Sequence, residues 1–235
     1  PFAHARALER EGTEVRALLL HGRPWQAIIG EVLRARHDLV LLPSTHRGPG
    51  FDSTTHNLLR SCPCPVWALH PDRGVRCERV LAAIDATADD EEHRALNTRI
   101  LATSAAIAEL LGAELHIVHA WREEGEALLR RIGLLDEATA PDWPAAYARL
   151  VDGLIRGHHL DPARTRIHLE HGEPAEVVQR VAEAQDIDLI AMGTVSRSGI
   201  AGLVIGNTAE TVARSARCGV LAIKPEGFVT PVRRW

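Results

Sequence analysis

The stretch 193–212 holds the residues that are best suited to do chemistry. It reads GTVSRSGIAGLVIGNTAETV, with four glycines in its first fourteen residues, and then takes on a helical pattern. Asn207 is a good N-cap residue and Glu210 completes a capping-box pattern, so a helix is predicted to begin there. The N–H groups at a helix amino terminus carry partial positive charge, and Gly206 permits close approach to the backbone. The stretch therefore favours binding of phosphate or another anion.

Other nucleotide-binding loops are not found in the sequence. It contains no GxxxxGK[ST] segment, which excludes a P-loop NTPase. The strand predicted at 79–85 ends in IDATADD and not in a GxGxxG loop, so a dinucleotide site is not expected. His119 and Asp85 are predicted at the ends of adjacent strands. No nucleophile or metal–carboxylate cluster accompanies them, so a catalytic base there is the less favoured interpretation.

The cysteines and histidines give only weak signals for a metal. Cys62 and Cys64 are separated and followed by prolines, which suit a turn into a strand, and all four cysteines are interpreted as reduced thiols. The histidines within 158–171 contain enough ligands for a divalent cation if the fold gathers them, but solvated histidines are the favoured interpretation.

Composition limits the classes of partner. The chain has 235 residues, 46% of them hydrophobic, and a net charge of -4, so it has a real core and no basic footprint for nucleic acid. No apolar run reaches the ~20 residues of a membrane span, and the first residues lack the apolar segment of a signal peptide. We expect a cytoplasmic protein with no nucleic-acid partner and no membrane span.

One pattern occurs twice along the chain. HGRPWQAII at 21–29 returns as HGEPAEVVQ at 171–179, and DLVLLPSTHR at 38–47 returns as DLIAMGTVSR at 188–197. This internal similarity predicts two tandem repeats. Residues 1–73 form a partial, degenerate first domain and residues 74–235 form a complete second domain, according to this interpretation. We expect the incomplete unit to pack against the second unit or another chain, because a half-sheet exposes its edge.

Strand and helix patterns alternate in both units, which predicts an α/β fold with a doubly wound, parallel, five-stranded sheet. In the second unit, strands are expected at 79–85, 114–121, 165–172, 188–193 and 219–225, with helices at 90–111, within 122–160, at 174–185 and after 207. In the first unit, strands are expected at 14–22, 38–43 and 66–70, with helices at 24–37 and 54–61.

The glycine spacing resembles that of a known family. Gly193-Thr-Val-Ser196, nine further residues and Gly206-Asn207-Thr208 follow the pattern of the universal stress protein family, and the tail 206–232 is similar to its tandem-domain E subgroup. The resemblance covers 79–235 and extends to 13–71. It implies a flavodoxin-like, adenine-nucleotide alpha-hydrolase-like sheet, dimer-like pairing of domains with a homodimer as a further option, and in many members an ATP or AMP site with Mg²⁺.

The resemblance also implies roles for residues around the nucleoside. Asp85 matches the family's first-strand aspartate and would face the adenosine. Ala120 would contact adenine through its backbone, while Met192 and Gly193 would line the base and the ribose.

The phosphate side of the implied site departs from the family pattern. Gly206, Asn207 and Thr208 would hold phosphates, although Asn207 stands where the family has a serine or threonine. Ser196 occupies the position of the family's second glycine, and Arg197 follows it in the same loop. The first unit has PSTHRGPGFDSTT in place of the motif, so no nucleotide is expected there.

The favoured interpretation is a stress-response regulatory protein, not an enzyme, that binds an adenine nucleotide or another phosphate-bearing ligand in its second domain. Two alternatives stay open: a slow ATPase or autokinase, and a nucleotide-free scaffold that binds a protein partner or a lipid-like ligand. For the lipid-like ligand, the apolar side of 122–160 would form a lid over the strand ends. Packing of that segment on the sheet is the plainer expectation.

Overall fold

The structure is a computed structural model of the chain. It describes residues 14–71, 73, 77–88, 90–122, 130, 132–133, 142–158, 160–194 and 206–232. Two candidate site residues, Ser196 and Arg197, lie outside the described residues.

Helices and strands alternate along the described chain. The elements in order are α1 (Pro24–Ala35), β1 (Val40–Pro43), α2 (Ser53–Ser61), β2 (Val66–Leu69), β3 (Arg79–Ala83), α3 (Glu91–Leu111), β4 (Glu114–Trp121), α4 (Trp143–Ile155), β5 (Thr165–His171), α5 (Pro174–Ala184), β6 (Leu189–Gly193), α6 (Asn207–Ser215) and β7 (Gly219–Ile223). Their limits confirm most of the predicted elements to within a few residues.

Local sequence signals explain where the helices begin and end. Asp90 caps α3 by accepting the N–H of His93 at 2.9 Å, and Gly112 ends that helix in the left-handed conformation with a φ of 66°. Pro174 and Pro24 open α5 and α1, where proline has no N–H to lose from the helical ladder.

A single seven-stranded sheet runs through the molecule in the order β1-β2-β7-β6-β3-β4-β5. Every neighbouring pair is parallel except β2 and β7, which run antiparallel from Val66↔Ala222 to Ala68↔Val220. Strands β3 to β7 form the predicted doubly wound arrangement. The strands β1 and β2 extend this sheet across β7, so β2 is paired on both sides and β1 forms an outer edge of the sheet.

The strand predicted at 14–22 does not form. Leu19 in this segment is 81% exposed and no strand is assigned to it. Its counterpart in the repeat, β5, gains its ladder hydrogen bonds from β4 over seven residue pairs. Among the described residues no strand pairs with 14–22, so the ladder hydrogen bonds that stabilise β5 are not available to it there.

Two hydrophobic layers cover the sheet. One face packs against α1, α2, α5 and α6, with contributions such as Ile29, Leu58, Val177 and Val212. The other face packs against α3 and α4. Helices from both units therefore share one continuous layer.

The position of helix α4 bears on the two expectations for 122–160, which were packing on the sheet and a lid over the strand ends. Its Val151 is fully buried in the same cluster as Leu96 and Ile100 of α3, so α4 packs on the sheet face. Leu128, Leu129 and Leu135 of the proposed lid lie outside the described residues.

Candidate functional site

The candidate residues lie at the point where the strand order reverses. From β3 the chain moves outward through β4 to β5, and then crosses to β6 and β7 on the other side. Asp85 follows the end of β3 and Gly193 ends β6, and the two strands pair through Ala83↔Met192. In open α/β sheets this crevice, beyond the carboxyl ends of the strands, is where ligands bind.

Asp85 is held in a short hydrogen-bonded turn. Its Oδ1 accepts the N–H of Thr87 at 3.1 Å and the hydroxyl of Thr87 at 2.7 Å. Asn97 of α3 fixes the backbone, because its Oδ1 accepts the Asp85 N–H at 3.1 Å and its Nδ2 donates to the Asp85 carbonyl at 2.7 Å. Asn97 was not among the predicted site residues. A polar residue beside Leu96 on the buried face of α3 was the available signal.

Gly193 and Met192 have structural reasons for their identities. The Met192 side chain is 4% exposed and belongs to the core layer shared by α5 and α6, so only its backbone lies towards the strand end. A Cβ on Gly193 would lie 2.7 Å from Cδ2 of Leu96. A larger residue there would therefore have to displace Leu96, and glycine lets α3 pack closely on β6.

Aromatic rings form a wall at the carboxyl end of β4, next to half-buried Ala120. The Trp121 ring lies 5.6 Å from Tyr147, 6.4 Å from Trp143 and 4.7 Å from His171, between ring centroids. The Tyr147 hydroxyl donates to the Arg122 carbonyl at 2.9 Å. Helix α4 thus closes the side of the crevice that faces β5.

His119 serves to support the turn at Asp85. Its Nδ1 lies 3.3 Å from both the Ala86 N–H and the Ile84 carbonyl, and its ring packs 5.2 Å from Tyr147. The side chain is buried beneath the turn. This geometry gives it a positioning role.

The amino terminus of α6 differs from the predicted cap. Gly206 is the N-cap residue, with φ -61° and ψ 142°, and Asn207 is an exposed first helical residue. Since Glu210 donates its N–H to the Gly206 carbonyl at 3.0 Å, the helix starts one residue earlier than predicted. The Glu210 carboxylate accepts from Arg214 at 2.6 Å, which lowers the pKa of Glu210. The predicted capping box is therefore wrong.

The strand end and the helix start are tied together. Gly206 donates its N–H to the carbonyl of Thr194 at 3.1 Å, so the two residues that flank 195–205 meet at the candidate site. Thr208 is the second residue of α6 and is half-buried. Three of the predicted phosphate-side residues, Gly206, Asn207 and Thr208, thus lie beside the carboxyl end of β6.

Lys224 lies buried behind this point and was not predicted. Its Nζ donates to the carbonyls of Leu59 at 2.7 Å and Arg60 at 3.0 Å, and to the hydroxyl of Thr194. Burial lowers the pKa of Lys224 to about 7. This side chain joins the end of α2 to the residue that follows β6.

A model of the family described as "Universal stress protein family" matches residues 2–70 and 77–224. The chain belongs to the universal stress protein family. It is 33% identical over 227 residues to universal stress protein E of Escherichia coli strain K12. The aligned region covers 90% of this chain and 68% of that protein. A similar relative, universal stress protein E of Photorhabdus laumondii, is 30% identical and covers 91% of the chain and 69% of that protein.

Solved structures agree with this fold. The putative universal stress protein of Pseudomonas aeruginosa UCBPP-PA14 superposes with a TM-score of 0.75 at 26% identity, covering 97% of this chain and 78% of that one. A universal stress protein of Archaeoglobus fulgidus gives a TM-score of 0.67 at 20% identity, covering 94% and 75%. The family and the flavodoxin-like fold implied by the glycine spacing are confirmed.

Within the described part of this universal stress protein, no three His, Cys, Asp or Glu side chains are arranged to hold a metal. Of the histidines in 158–171, His168 bonds through Nε2 to Nδ1 of His116 at 2.9 Å, whereas His171 packs on Trp121. His159 lies outside the described residues. Among the helices that are described, none is long and apolar enough to cross a membrane.

Proposed function

We propose that this universal stress protein is a cytoplasmic stress-response regulator that binds an adenine nucleotide of the ATP or AMP type, or another phosphate-bearing ligand. The observation that carries the proposal is the amino terminus of α6. There Gly206 begins the helix without a side-chain cap from the described residues, beside the end of β6 and across the switch point from Asp85.

The phosphate half of the proposed site rests on backbone groups. An uncapped helix start presents N–H donors and the positive end of the helix dipole to an anion, which contributes ~0.3–1 kcal/mol and more when partly buried. Gly206 adds no bulk, Asn207 is exposed and Thr208 carries a hydroxyl in the first turn. Ser196 and Arg197 of the preceding loop complete the set that we assign to this half.

The nucleoside half rests on the strand ends. Asp85 is fixed by Thr87 and Asn97, so its carboxylate is in a defined place before any ligand arrives. The backbones of Ala120 and Gly193 flank it on β4 and β6. A hydroxyl-rich ribose suits a carboxylate partner, since hydrogen bonds to charged groups contribute ~1.5–3 kcal/mol.

Mg²⁺ would arrive with the phosphates of such a ligand. Magnesium keeps several waters and uses one or two carboxylates together with substrate phosphates. This preference is compatible with the site, because Asp85 supplies one carboxylate there. No group of three His, Cys, Asp or Glu side chains among the described residues is arranged to hold a metal. Asp85 is the side chain that we assign to the metal–phosphate group or to the ribose.

We further propose that ligand binding is confined to the second of two domains, 74–235. The first, 1–73, would act by pairing with it through β2 and β7. The strands are joined by three residue pairs, which gives the shorter unit a fixed place in the sheet.

Calorimetric titration tests the proposed function. We would titrate the whole chain with ATP, AMP and inorganic phosphate, each with and without Mg²⁺, and repeat the titration with Asp85→Ala. The variant should bind ATP or AMP at least about tenfold more weakly, corresponding to ~1.4 kcal/mol or more. Asp152→Ala, an exposed aspartate on α4, is the matched control and should bind as the wild type does.

The same ligands and variant also distinguish the other functions, when phosphate release is measured beside the heat of binding. Release of phosphate from ATP that needs Mg²⁺ and is lost in Asp85→Ala would instead favour a slow ATPase. No heat with any of the three ligands would contradict the proposal and favour a nucleotide-free scaffold.

A further inference from the structure

Two thiols lie in contact at the end of α2. The Sγ atoms of Cys62 and Cys64 are 3.6 Å apart, within the hydrogen-bond range for sulfur. Cys62 is fully buried and Cys64 is 9% exposed. Both side chains belong to the hydrophobic layer that α2 shares with α6, and both are present as free thiols.

The backbone holds this pair together. Cys62 is the C-cap of α2 and donates its N–H to the Leu58 carbonyl at 2.9 Å. Pro63 and Pro65 fix the φ angles of the turn that leads into β2. Because little chain freedom is left between the two sulfurs, closing a bond between them costs little further entropy.

We propose that Cys62 and Cys64 form a reversible oxidation site that closes to a disulfide in the presence of a peroxide. A disulfide needs an S–S distance of about 2.05 Å, so the sulfurs have to approach by roughly 1.5 Å. Side-chain rotation about the two Cα–Cβ bonds is the simplest motion that brings them together. The proposal does not depend on nucleotide binding.

The two thiols have different parts in the reaction. The hydrogen bond between the two thiols lowers the pKa of Cys64 and raises the pKa of Cys62. Cys64 is also the more exposed residue of the two. Cys64 is therefore the sulfur that meets the oxidant, and Cys62 is the resolving thiol.

The chemistry balances with hydrogen peroxide as the oxidant. The Cys64 thiolate attacks one peroxide oxygen, the O–O bond breaks, and the released hydroxide is protonated to water, which leaves a sulfenic acid on Cys64. The Cys62 sulfur then attacks the Cys64 sulfur and displaces the hydroxyl, which departs as water with the Cys62 proton. Two thiols lose two electrons, and the peroxide is reduced to two waters.

The other cysteines provide an internal comparison. Burial raises the pKa of Cys218 to about 12 and that of Cys77 to about 11. Neither thiol has a hydrogen-bonded thiol partner within the described residues. We expect both to stay reduced under conditions that oxidise the Cys62–Cys64 pair.

Oxidation of the Cys62–Cys64 pair can affect the candidate site through the contacts at the end of α2. Lys224 binds the carbonyls of Leu59 and Arg60, in the same last turn of α2 that ends at Cys62. The same ammonium group contacts Thr194 at the end of β6. A shift of the α2 terminus is therefore passed directly to a residue beside the candidate site.

Thiol counting with peptide mass spectrometry tests the site. The folded whole chain is exposed to graded hydrogen peroxide, quenched and digested. Free thiols should fall from four to two, and the peptide carrying Cys62 and Cys64 should lose two hydrogen atoms that dithiothreitol restores. In Cys62→Ser, dimedone should label Cys64 as a trapped sulfenic acid. Cys64→Ser should give neither product, while Cys77→Ser should still form the disulfide, with its free thiols falling from three to one.

Three results would overturn the proposal. The folded wild type could keep all four thiols at peroxide levels that oxidise the urea-unfolded chain. The disulfide could join other cysteines, or dimedone could label Cys77 before Cys64. The wild-type thiol count requires no variant, and circular dichroism melts show whether each serine variant is folded.

Discussion

The amino termini of α2 and α6 occupy equivalent places in two similar strand–helix–strand units, yet they are built differently. At α2, Asp52 caps the helix: Oδ1 accepts the Thr55 N–H at 3.0 Å, and Oδ2 accepts the hydroxyls of Thr55 at 3.0 Å and Ser44 at 3.1 Å. At α6 the corresponding residue is Gly206, which has no side chain to offer.

This difference indicates which of the two helix amino termini can bind an anion. Helix α2 carries its own carboxylate at its positive end, so a phosphate there would meet a negative charge. Burial by itself raises the pKa of Asp52, but the hydrogen bonds from Thr55 and Ser44 outweigh this effect and the pKa is lowered overall, so the carboxyl group stays ionised. Helix α6 has the same dipole but no carboxylate at its N-cap position, and the acidic residue of its first turn, Glu210, is paired with Arg214. We infer that this one position helps to confine ligand binding to the second unit.

The carboxyl termini of the same helices are satisfied across the units. Gly50, in the loop before α2, donates its N–H to the Ala216 carbonyl at the end of α6 at 2.8 Å. Lys224, after β7, donates to Leu59 and Arg60 at the end of α2. Each unit therefore supplies donors to the last turn of the other unit's helix.

Substitution of Gly50 should break this arrangement most severely. Gly50 has a φ of +84°, and a Cβ there would lie 2.4 Å from the backbone oxygen of Arg214. We expect Gly50→Ala to cost about 3 kcal/mol or more of the free energy of unfolding, measured by urea denaturation.

Gly48→Ala is the matched control for Gly50. Its φ of +108° imposes a similar backbone cost, but the nearest atom to its Cβ is 4.0 Å away. For Gly48→Ala we expect a loss of ~1 kcal/mol of the free energy of unfolding. Equal losses for the two variants would show that the contact with α6 contributes nothing.

Removing the ammonium group of Lys224 should have the next largest effect. Lys224→Met leaves the α2 carbonyls without their donor, at a cost of ~2 kcal/mol. The control Lys224→Arg keeps a donor but must fit a larger group into a buried place. Urea denaturation of both variants at one pH gives the comparison, and a Met variant as stable as the wild type would contradict the capping role.

Lys224 also predicts a pH dependence. Burial lowers its pKa from 10.5 to about 7, so above pH 7 the folded chain has released a proton that the unfolded chain still holds up to about pH 10. Stability of the wild type should therefore rise with pH across this window, by at most ~1.4 kcal/mol per pH unit. The Lys224→Met variant should lack this rise; an identical slope in both proteins would refute the assignment.

Much of the fold was accessible from sequence because local signals agree with it. Gly112 and Pro174 marked the end of α3 and the start of α5, and apolar runs marked β3 and β6. The strand predicted at 14–22 failed because its pattern says nothing about whether a neighbouring strand is present. The Asp85 and Gly206 positions followed from the family spacing.

The remaining features depend on contacts between distant parts of the chain. Lys224 lies 165 residues from Leu59, and its partners are backbone carbonyls that carry no sequence signal. Asn97 and Asp85 meet only once α3 packs on the sheet. The start of α6 was misplaced by one residue because Asn207 and Gly206 both suit an N-cap, and the pairing of Glu210 with Arg214 removed the partner that favoured Asn207.

The cap at Asp52 should have the smallest effect on stability. Asp52→Ala removes acceptors for Thr55 and Ser44 and should cost ~1–2 kcal/mol near neutral pH. Because the folded pKa of Asp52 is lowered from 3.8, its contribution is complete above that value and is lost as the pH falls through the lower, folded value. Denaturation curves at neutral and acidic pH check this.

Asp142→Ala is a suitable comparison for that prediction. Asp142 accepts the Ala145 N–H at 3.2 Å in an exposed cap and has one such bond where Asp52 has three. Its loss should be smaller than that of Asp52→Ala. A larger loss at Asp142 would contradict the view that the α2 cap is an unusually complete one.

Giving α6 the cap of α2 tests the central claim most directly. Calorimetric titration of ATP and AMP into the wild type, Gly206→Asp and the neutral isostere Gly206→Asn compares a carboxylate with an amide at the same position. We predict that the wild type binds nucleotide and that Gly206→Asp binds at least about tenfold more weakly than Gly206→Asn. Equal affinities for the Asp and Asn variants, or no binding by the wild type, would contradict the account.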